Sequence, residues 1–552
     1  MSGTRLNKRA FLLLHLWKIA TVQLLCSCSV LGQEFGISAS NQLRLGDGHQ
    51  ASLVDTKDKH YLEEMFSTVL TYHEFSAGLR LDYDSAPEYG PLFRGLRKKY
   101  LEYRDNGLCV RIGDSPVLLD KGLALNLFEK KPLAFDTELE GITAQYETNT
   151  FDVRAVWGAK KFLDYSSGGF NAPPKEDRFT VQGLSAHFKI LESWNVGGNF
   201  VYAKSRLPGL LAGSNITVTK TLPELTTKVT VDSLEIFVDA VYSVNTVDGK
   251  TDVGKASTYA LVSYWGESAG LSLEYRDYRF DPVDPVRRGD FTRSSSIGVF
   301  EYPPSGYRDH TFSLLNRESH VPDFNDEVGL RLDAFLTLSS DLQLDVTGSL
   351  SSRHYAYQYS ISGNAFQRVF SGTSYFPSAQ KSRSPSSEVF LQGEWHPEKG
   401  PQTVILGVDG RTEVLYNDMF PPYSETDYSI TPVALCEGQI VSGIGFKATY
   451  EHRFGSREQG PGQVRFVDIR ASLEVVLGSF VSLGPTAEWT TDPAEPTGKT
   501  CWMTGTLTAR PSPAHQFAFS YGSERGGRVC SGGVCRILQP FDGMRFTSTN
   551  TF

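Results

Sequence analysis

Apolar and polar positions alternate with a period of two through the middle and C-terminal parts of the chain. Leu342, Leu344, Val346 and Leu350 share one parity and Gln343, Asp345, Thr347 and Ser349 the other. Val467, Ile469, Ala471, Leu473, Val475 and Leu477 alternate in the same way with Asp468, Arg470, Ser472 and Glu474. So do Leu234, Ile236, Val238, Ala240, Tyr242 and Val244, and then Leu330, Leu332, Ala334, Leu336 and Leu338. This is the pattern of a strand with one face in an apolar and one in a polar medium. Several runs reach the 9–11 residues or so with which a tilted strand crosses a bilayer.

A soluble sandwich also alternates, so the connections discriminate. Working back from the C-terminus, a long loop from Gly522 to about Gly543 is followed by a short turn at Pro511–Pro513, the loop TTDPAEPTGK, a short turn at Gly478–Ser479 and the loop RFGSREQGPG. Further back, short turns at Ser339–Asp341 and Gly266–Ser268 flank a long segment, 281–326, and turns at Asp232–Ser233 and Glu192–Ser193 keep the phase. Short turns at one end and long loops at the other are the asymmetry of transmembrane barrels. The expected fold is all-β: an antiparallel transmembrane barrel with an even number of strands, roughly 18–24 and about 20. Residues 34–140 are less regular and do not yield numbered strands.

The same phase places the C-terminus on the short-turn side. There Met544, Phe546 and Phe552 fall on one parity, and Arg545, Thr547, Thr549 and Thr551 on the other. Ser548 and Asn550 interrupt the apolar parity, but the ending on Phe552 fits a barrel that closes with its last strand.

Composition changes this picture little. With 552 residues, 21% charged, and a mean hydropathy of −0.26, the chain reads as soluble in bulk. Alternating strands average to such a value even in a membrane. The first 32 residues differ: Arg5, Lys8 and Arg9 precede AFLLLHLW, a second apolar stretch follows Lys18, and Val30 and Gly32 suit cleavage before Gln33. Residues 1–32 are thus expected to be a signal peptide and 33–552 the barrel. Removing its four basic side chains takes the net charge from −9 to −13, a poor balance for binding nucleic acid. Of the seven Cys, Cys26 and Cys28 leave with the signal. Cys530 and Cys535, separated by SGGV, read as a small disulfide of an exported protein. A zinc site lacks a second ligand pair, and the pairing of Cys109, Cys436 and Cys501 stays open.

The chain contains no HExxH, GxxxxGK[ST], GxSxG or strand-helix GxGxxG, so no catalytic residue, metal or cofactor is assigned. The richest polar stretch surrounds the segment 281–326. Arg287, Arg288, Arg308, His310, Asn316, Arg317, His320, Asp326 and Glu327 would form a constriction if that loop folds into the barrel mouth, and a solvated surface if it does not. Burial would require Arg317 to meet a carboxylate such as Asp326 or Glu327. Trp157, Phe179, Trp194, Tyr202, Tyr242, Trp265 and Tyr521 lie near strand ends, where a barrel carries its aromatic girdles.

Three stretches, DKGLALNLFEKKPLAFDTELEGI (120–142), YPPSGYRDHTFSLLNRESHVPDFNDEVGLRLD (302–333) and CSGGVCRILQPFDGMRFTSTNTF (530–552), resemble an uncharacterised, porin-like family of outer-membrane barrels of Bacteroidetes-type bacteria. The resemblance implies an outer-membrane location and supplies no activity. The expected function is a passive channel for small hydrophilic solutes, lined by Gln343, Asp345, Asp468, Arg470 and Glu474. Its expected partners are outer-membrane lipid and, through the last strand, the barrel-assembly machinery. A barrel plugged by its loops and binding a protein or glycan is the first alternative. A β-rich enzyme of the outer membrane, or a secreted soluble one, is the second.

Overall fold

The alternating runs form one closed antiparallel sheet of 24 strands, in which each strand pairs with its neighbours in sequence and the first, Phe35–Ala51, pairs with the last, Phe541–Thr551. This computed structural model describes residues 35–552 apart from 52–55, 91, 165–174, 209–214, 248, 281–299, 318, 371, 373, 398–401, 418–422, 461 and 532–533. The signal peptide expected at 1–32 lies outside the described residues, as do Arg287 and Arg288. So do the side chains of Cys530 and Cys535, although the hairpin backbone sets the two positions directly opposite each other. Cys109, Cys436 and Cys501 are free thiols.

The count of 24 is the upper end of the expected range. The additional strands come from the irregular N-terminal part, which supplies Thr56–Tyr72, Phe75–Ser85, Arg94–Asp105 and Leu108–Ser115. Inward positions there include charged groups, among them Arg44, Arg80 and Lys98, that are matched to carboxylates of the connections inside the barrel.

Two-residue turns such as His73–Glu74, Asn106–Gly107 and Asp232–Ser233 join strands at one end, and the termini meet there: Ala39 and Phe552 exchange backbone hydrogen bonds of 3.1 and 2.8 Å. His73, Asn106 and Asp232 adopt positive φ, the conformation that such tight turns need. The other end carries the long connections, with one correction. RFGSREQGPG is no loop; it belongs to the long strands Ile444–Gln459 and Gly462–Leu477, whose pairing runs out to Gln459 opposite Gly462. Strands of 16 residues are longer than the 9–11 or so with which a tilted strand would cross a bilayer.

The apolar parity faces out, with Leu225, Leu406, Val389 and Met503 among the most exposed side chains. Trp157, Trp194, Tyr202, Tyr242, Trp265 and Tyr521 are exposed as a girdle requires, but Phe179 is not one of them. Its parity points inward, where it is buried against Phe300. Ser548 and Asn550 do share the outward face of the last strand. They are satisfied laterally: Asn550 Nδ2 donates to Ser548 Oγ at 2.9 Å, and Asn550 Oδ1 pairs with His515 Nδ1 at 2.9 Å. Polar groups facing an apolar medium persist only when bonded in this way.

The main apolar cluster lies inside the barrel. Leu119, Leu123, Leu125 and Leu127, from the connection 116–138, pack on the inward side chains Val156, Phe179, Val181, Val201 and Leu222 of the wall. Tyr278, Phe280, Phe300 and Phe324 complete it from the end of Ala269–Tyr278 and the connection that follows. The lumen is therefore occupied by the protein's own loops.

Candidate functional site

Several charged side chains at inward parity positions of the wall meet groups on the loops. Arg276, on Ala269–Tyr278, is wholly buried (0% exposed), so its charge needs partners of high quality. Glu327 provides one, at 3.2 Å from Nη2, and the Gly306 carbonyl accepts from Nη1 at 3.5 Å. The guanidinium also lies over the Tyr307 ring, 4.9 Å from its centroid. Two glycines make room for it. A Cβ at Gly329 would come within 2.5 Å of Arg276 Cζ, and one at Gly306, which has φ +69°, would overlap Nη1 outright.

From Glu327 the network spreads. Its second oxygen pairs with His320 Nε2 at 3.1 Å, and His320 Nδ1 meets Glu413 of the strand Gln402–Asn417 at 2.5 Å. Arg353 reaches Asp323 at 2.9 Å, and Arg368 bridges Asp323 and Asp326, each at 3.3 Å. Asp326 also accepts the backbone N–H groups of His354 and Tyr355.

The rest of the segment docks in the same manner. Lys220 forms a buried ion pair with Glu301. Asn316 clamps the backbone of His310 through two hydrogen bonds, and His310 Nε2 contacts Glu388 at 2.8 Å. Glu451 accepts the N–H groups of Ser313 and Leu314 at the start of the short helix Ser313–Arg317. Arg308 donates to Thr347 at 3.4 Å. Arg317 ends the helix in a bidentate pair with Glu488 of the wall. Arg317 thus meets a carboxylate as its burial requires, but the partner is Glu488 rather than Asp326 or Glu327, which are taken by Arg368 and by Arg276 with His320. The cluster of Arg308, His310, Asn316, Arg317, Asp326 and Glu327 exists as a set of anchors on several wall strands.

Other loops close the circle. Arg80 binds Glu129, Lys98 and Lys160 share Asp136, and His187 and Asn199 hold Asp120, all from the connection 116–138. Arg525 brings the C-terminal hairpin onto Asp468, Glu488 and Glu495, and Arg44 and Arg545 hold Glu88. Two of the three stretches that carry the family resemblance, 120–142 and 302–333, thus supply much of the plug. Sequence reasoning misses wall residues such as Lys220, Arg276, Glu388, Glu413 and Glu488, whose one signal is a charge at an inward parity position.

His310, Glu388 and Asp409 place ligand atoms within 4.8 Å of one another, the spacing of a metal site. Arg411 already fills the electrostatic role of a cation there, with Nε 2.7 Å from Asp409 and Nη2 2.9 Å from Glu388.

The two loop histidines have opposite proton affinities. Burial lowers the pKa of His310, so it stays neutral. Burial also opposes charge on His320, yet Glu413 and Glu327 outweigh it and raise its pKa. The His320 anchor is complete below the ordinary histidine value of 6.5 and is lost as pH rises through its raised pKa. The His310 anchor is complete above that value and is lost as pH falls through its lowered pKa. Protection of 300–326 against hydrogen exchange, taken relative to the intrinsic rate at each pH, should therefore be greatest in a pH window between the two. His320→Gln should remove the alkaline limb of the profile and His310→Gln the acid limb; a profile unchanged by both would contradict the assignment.

Residues 10–365 match a family of unknown function, DUF6029. No functionally curated protein matches the chain. Among solved structures it is similar to the siderophore receptor PirA from Pseudomonas aeruginosa, at 8% identity and a TM-score of 0.45 over 94% of this chain and 80% of that one. The copper transporter OprC matches at 8% identity and 0.46, with 94% and 80% covered. The P pilus usher PapC translocation pore matches at 8% and 0.39, with 94% and 99% covered.

Proposed function

This chain belongs to the DUF6029 family, and from that premise we propose that it is an outer-membrane β-barrel plugged by its own loops, which binds a hydrophilic ligand or partner at the loop end. One observation carries the reading: anchors from the loops meet the wall around its whole circumference, from Arg44 through Lys220 and Arg276 to Glu488 and Arg545. A loop that only narrows a porin needs a few such contacts; a ring of them holds a plug. The outward apolar face and its aromatic girdle support the membrane location. No catalysis is assigned, because the buried His and carboxylate groups of the seat are engaged with arginines and backbone donors.

A second reading, a passive channel for small hydrophilic solutes that conducts when the plug leaves, is favoured by the polar inward wall. Asp468 pairs with Arg525 and Arg470 with Glu451 there, and Gln343 donates to Asp345. Single-channel recording from the mature chain in planar bilayers tests both. The intact barrel should be silent or open rarely, and replacing 303–323 by a short Gly/Ser linker should give steady ohmic steps. Full steps from the intact chain, unchanged by the replacement, would refute the plug.

A further inference from the structure

The barrel wall is lowest at Leu108–Ser115 and Leu139–Glu147, strands of 8 and 9 residues flanked by Arg94–Asp105 and Phe151–Asp164, of 12 and 14. Where the short strands stop, a recess of about 940 Å³ opens on the outer surface. Its lining combines the apolar side chains of Phe93, Leu96, Ala159 and Leu163 with Arg97, Asp114 and Glu140, the last paired with Lys99 at 2.9 Å, and Ala134 of the plug with the inward Phe162 closes its back. The volume falls within the usual range for a small-molecule site, about 300–1,000 Å³.

A cation row borders the recess. Lys161 lies directly opposite Arg178, and Arg178 directly opposite Arg206, across three adjacent strands, with Lys204 opposite Thr180 two residues away. These side chains face out, since their neighbours Phe162, Phe179 and Ser205 are buried on the inner side. Like charges directly opposite in a sheet repel. Glu176 answers two of them, at 2.7 Å from Lys161 Nζ and 2.7 Å from Arg178 Nε. Among the described residues, no ion pair engages Lys204 or Arg206, so the row itself holds four cations and one carboxylate, and Asp114 and Glu140 also line the recess.

The row stands above the aromatic girdle. Trp157 and Tyr202 stand in one register row through Gln182, four residues below Lys161 and Arg206. Four residues are about 13 Å along a strand and roughly 10 Å along the normal of a tilted barrel. Girdle aromatics mark the edge of the hydrocarbon, so the cations sit at the level of lipid headgroups and the recess opens beside them.

We propose that this outer face binds a membrane lipid whose phosphate-bearing headgroup is net anionic, with the phosphate bridging Lys161, Arg178, Lys204 and Arg206 and an acyl chain in the recess. The inference rests on the outer-membrane reading, at the loop end of the barrel. Guanidinium groups suit the task because they bind phosphate oxygens in pairs.

Two measurements separate the inference from its premise. Flotation of the full-length mature chain with liposomes reports membrane insertion; failure to float would overturn the membrane reading and this site with it. Native mass spectrometry in detergent then follows binding of diphosphorylated lipid A, with phosphatidylcholine and inorganic phosphate as comparison probes. The parent should retain lipid A in preference to phosphatidylcholine. Lys161→Gln/Arg178→Gln/Arg206→Gln should weaken retention by about tenfold or more. Leu96→Glu, which places a carboxylate in the recess and leaves the cations intact, should weaken it as well. Both variants alter exposed positions, and unchanged flotation would show that they fold. A floating triple variant with undiminished lipid A binding, or displacement of the lipid by millimolar inorganic phosphate, would overturn the site alone.

Discussion

Glu327→Ala is expected to release the segment 300–326 from the wall at a cost of about 3–5 kcal/mol, the penalty for stripping one partner from a buried ion pair. Arg276, at 0% exposure, would keep its charge with the Gly306 carbonyl and the Tyr307 ring beside it and Glu274 as a remaining nearby carboxylate. His320 would lose one of its two carboxylates. Because Arg276 cannot shed its proton, the wall must either admit water or let the loop move aside. Limited proteolysis of the folded barrel should cut within 300–326 in the variant and spare the parent, and bilayer recordings should show new openings. Equal protease resistance in parent and variant would show that the pair does not hold the plug.

Lys220→Met is expected to cost a similar amount, about 3–5 kcal/mol, measured as the opening free energy of the segment around Glu301 by hydrogen exchange. Glu301 is wholly buried, and Lys220 is 3% exposed. The informative comparison is with the double variant Lys220→Met/Glu301→Met. Removing both charges abolishes the desolvation that the pair offsets, so the double variant should return to within about 1 kcal/mol of the parent. The two substitutions should thus be strongly non-additive. A double variant as weak as the sum of the single ones would mean that Glu301 is held mainly by groups other than Lys220.

The two pairs also explain why the plug belongs to the barrel rather than to solvent. Wall positions such as Lys220, Asp239, Arg276 and Asp409 are too buried to be hydrated. Four adjacent wall strands also carry Phe179, Val201, Leu222 and Phe237 on their inward parity. An open aqueous lumen has no use for that mixture, whereas a docked segment with both leucines and charges, as in DKGLALNLFEK, matches it.

The features legible in the amino-acid sequence are local and periodic. Strands follow from alternation because successive side chains of an extended chain must face opposite media. A one-residue slip would turn every side chain of a run such as Val467 to Leu477 to the wrong medium, so its parity is secure. The closed antiparallel fold follows from the phase of short and long connections, and the inward placement of Asp345, Asp468 and Arg470 from parity alone. Three things emerge only on folding: the closure at 24 strands, the filled lumen, and the partner of each anchor. Arg317 shows the reason. Its sequence neighbourhood offers Asp326 and Glu327, but it binds Glu488, 171 residues away. A charged loop has the same composition whether it is solvated or docked, and the identity of its partner depends on which strands curvature and closure bring across the lumen.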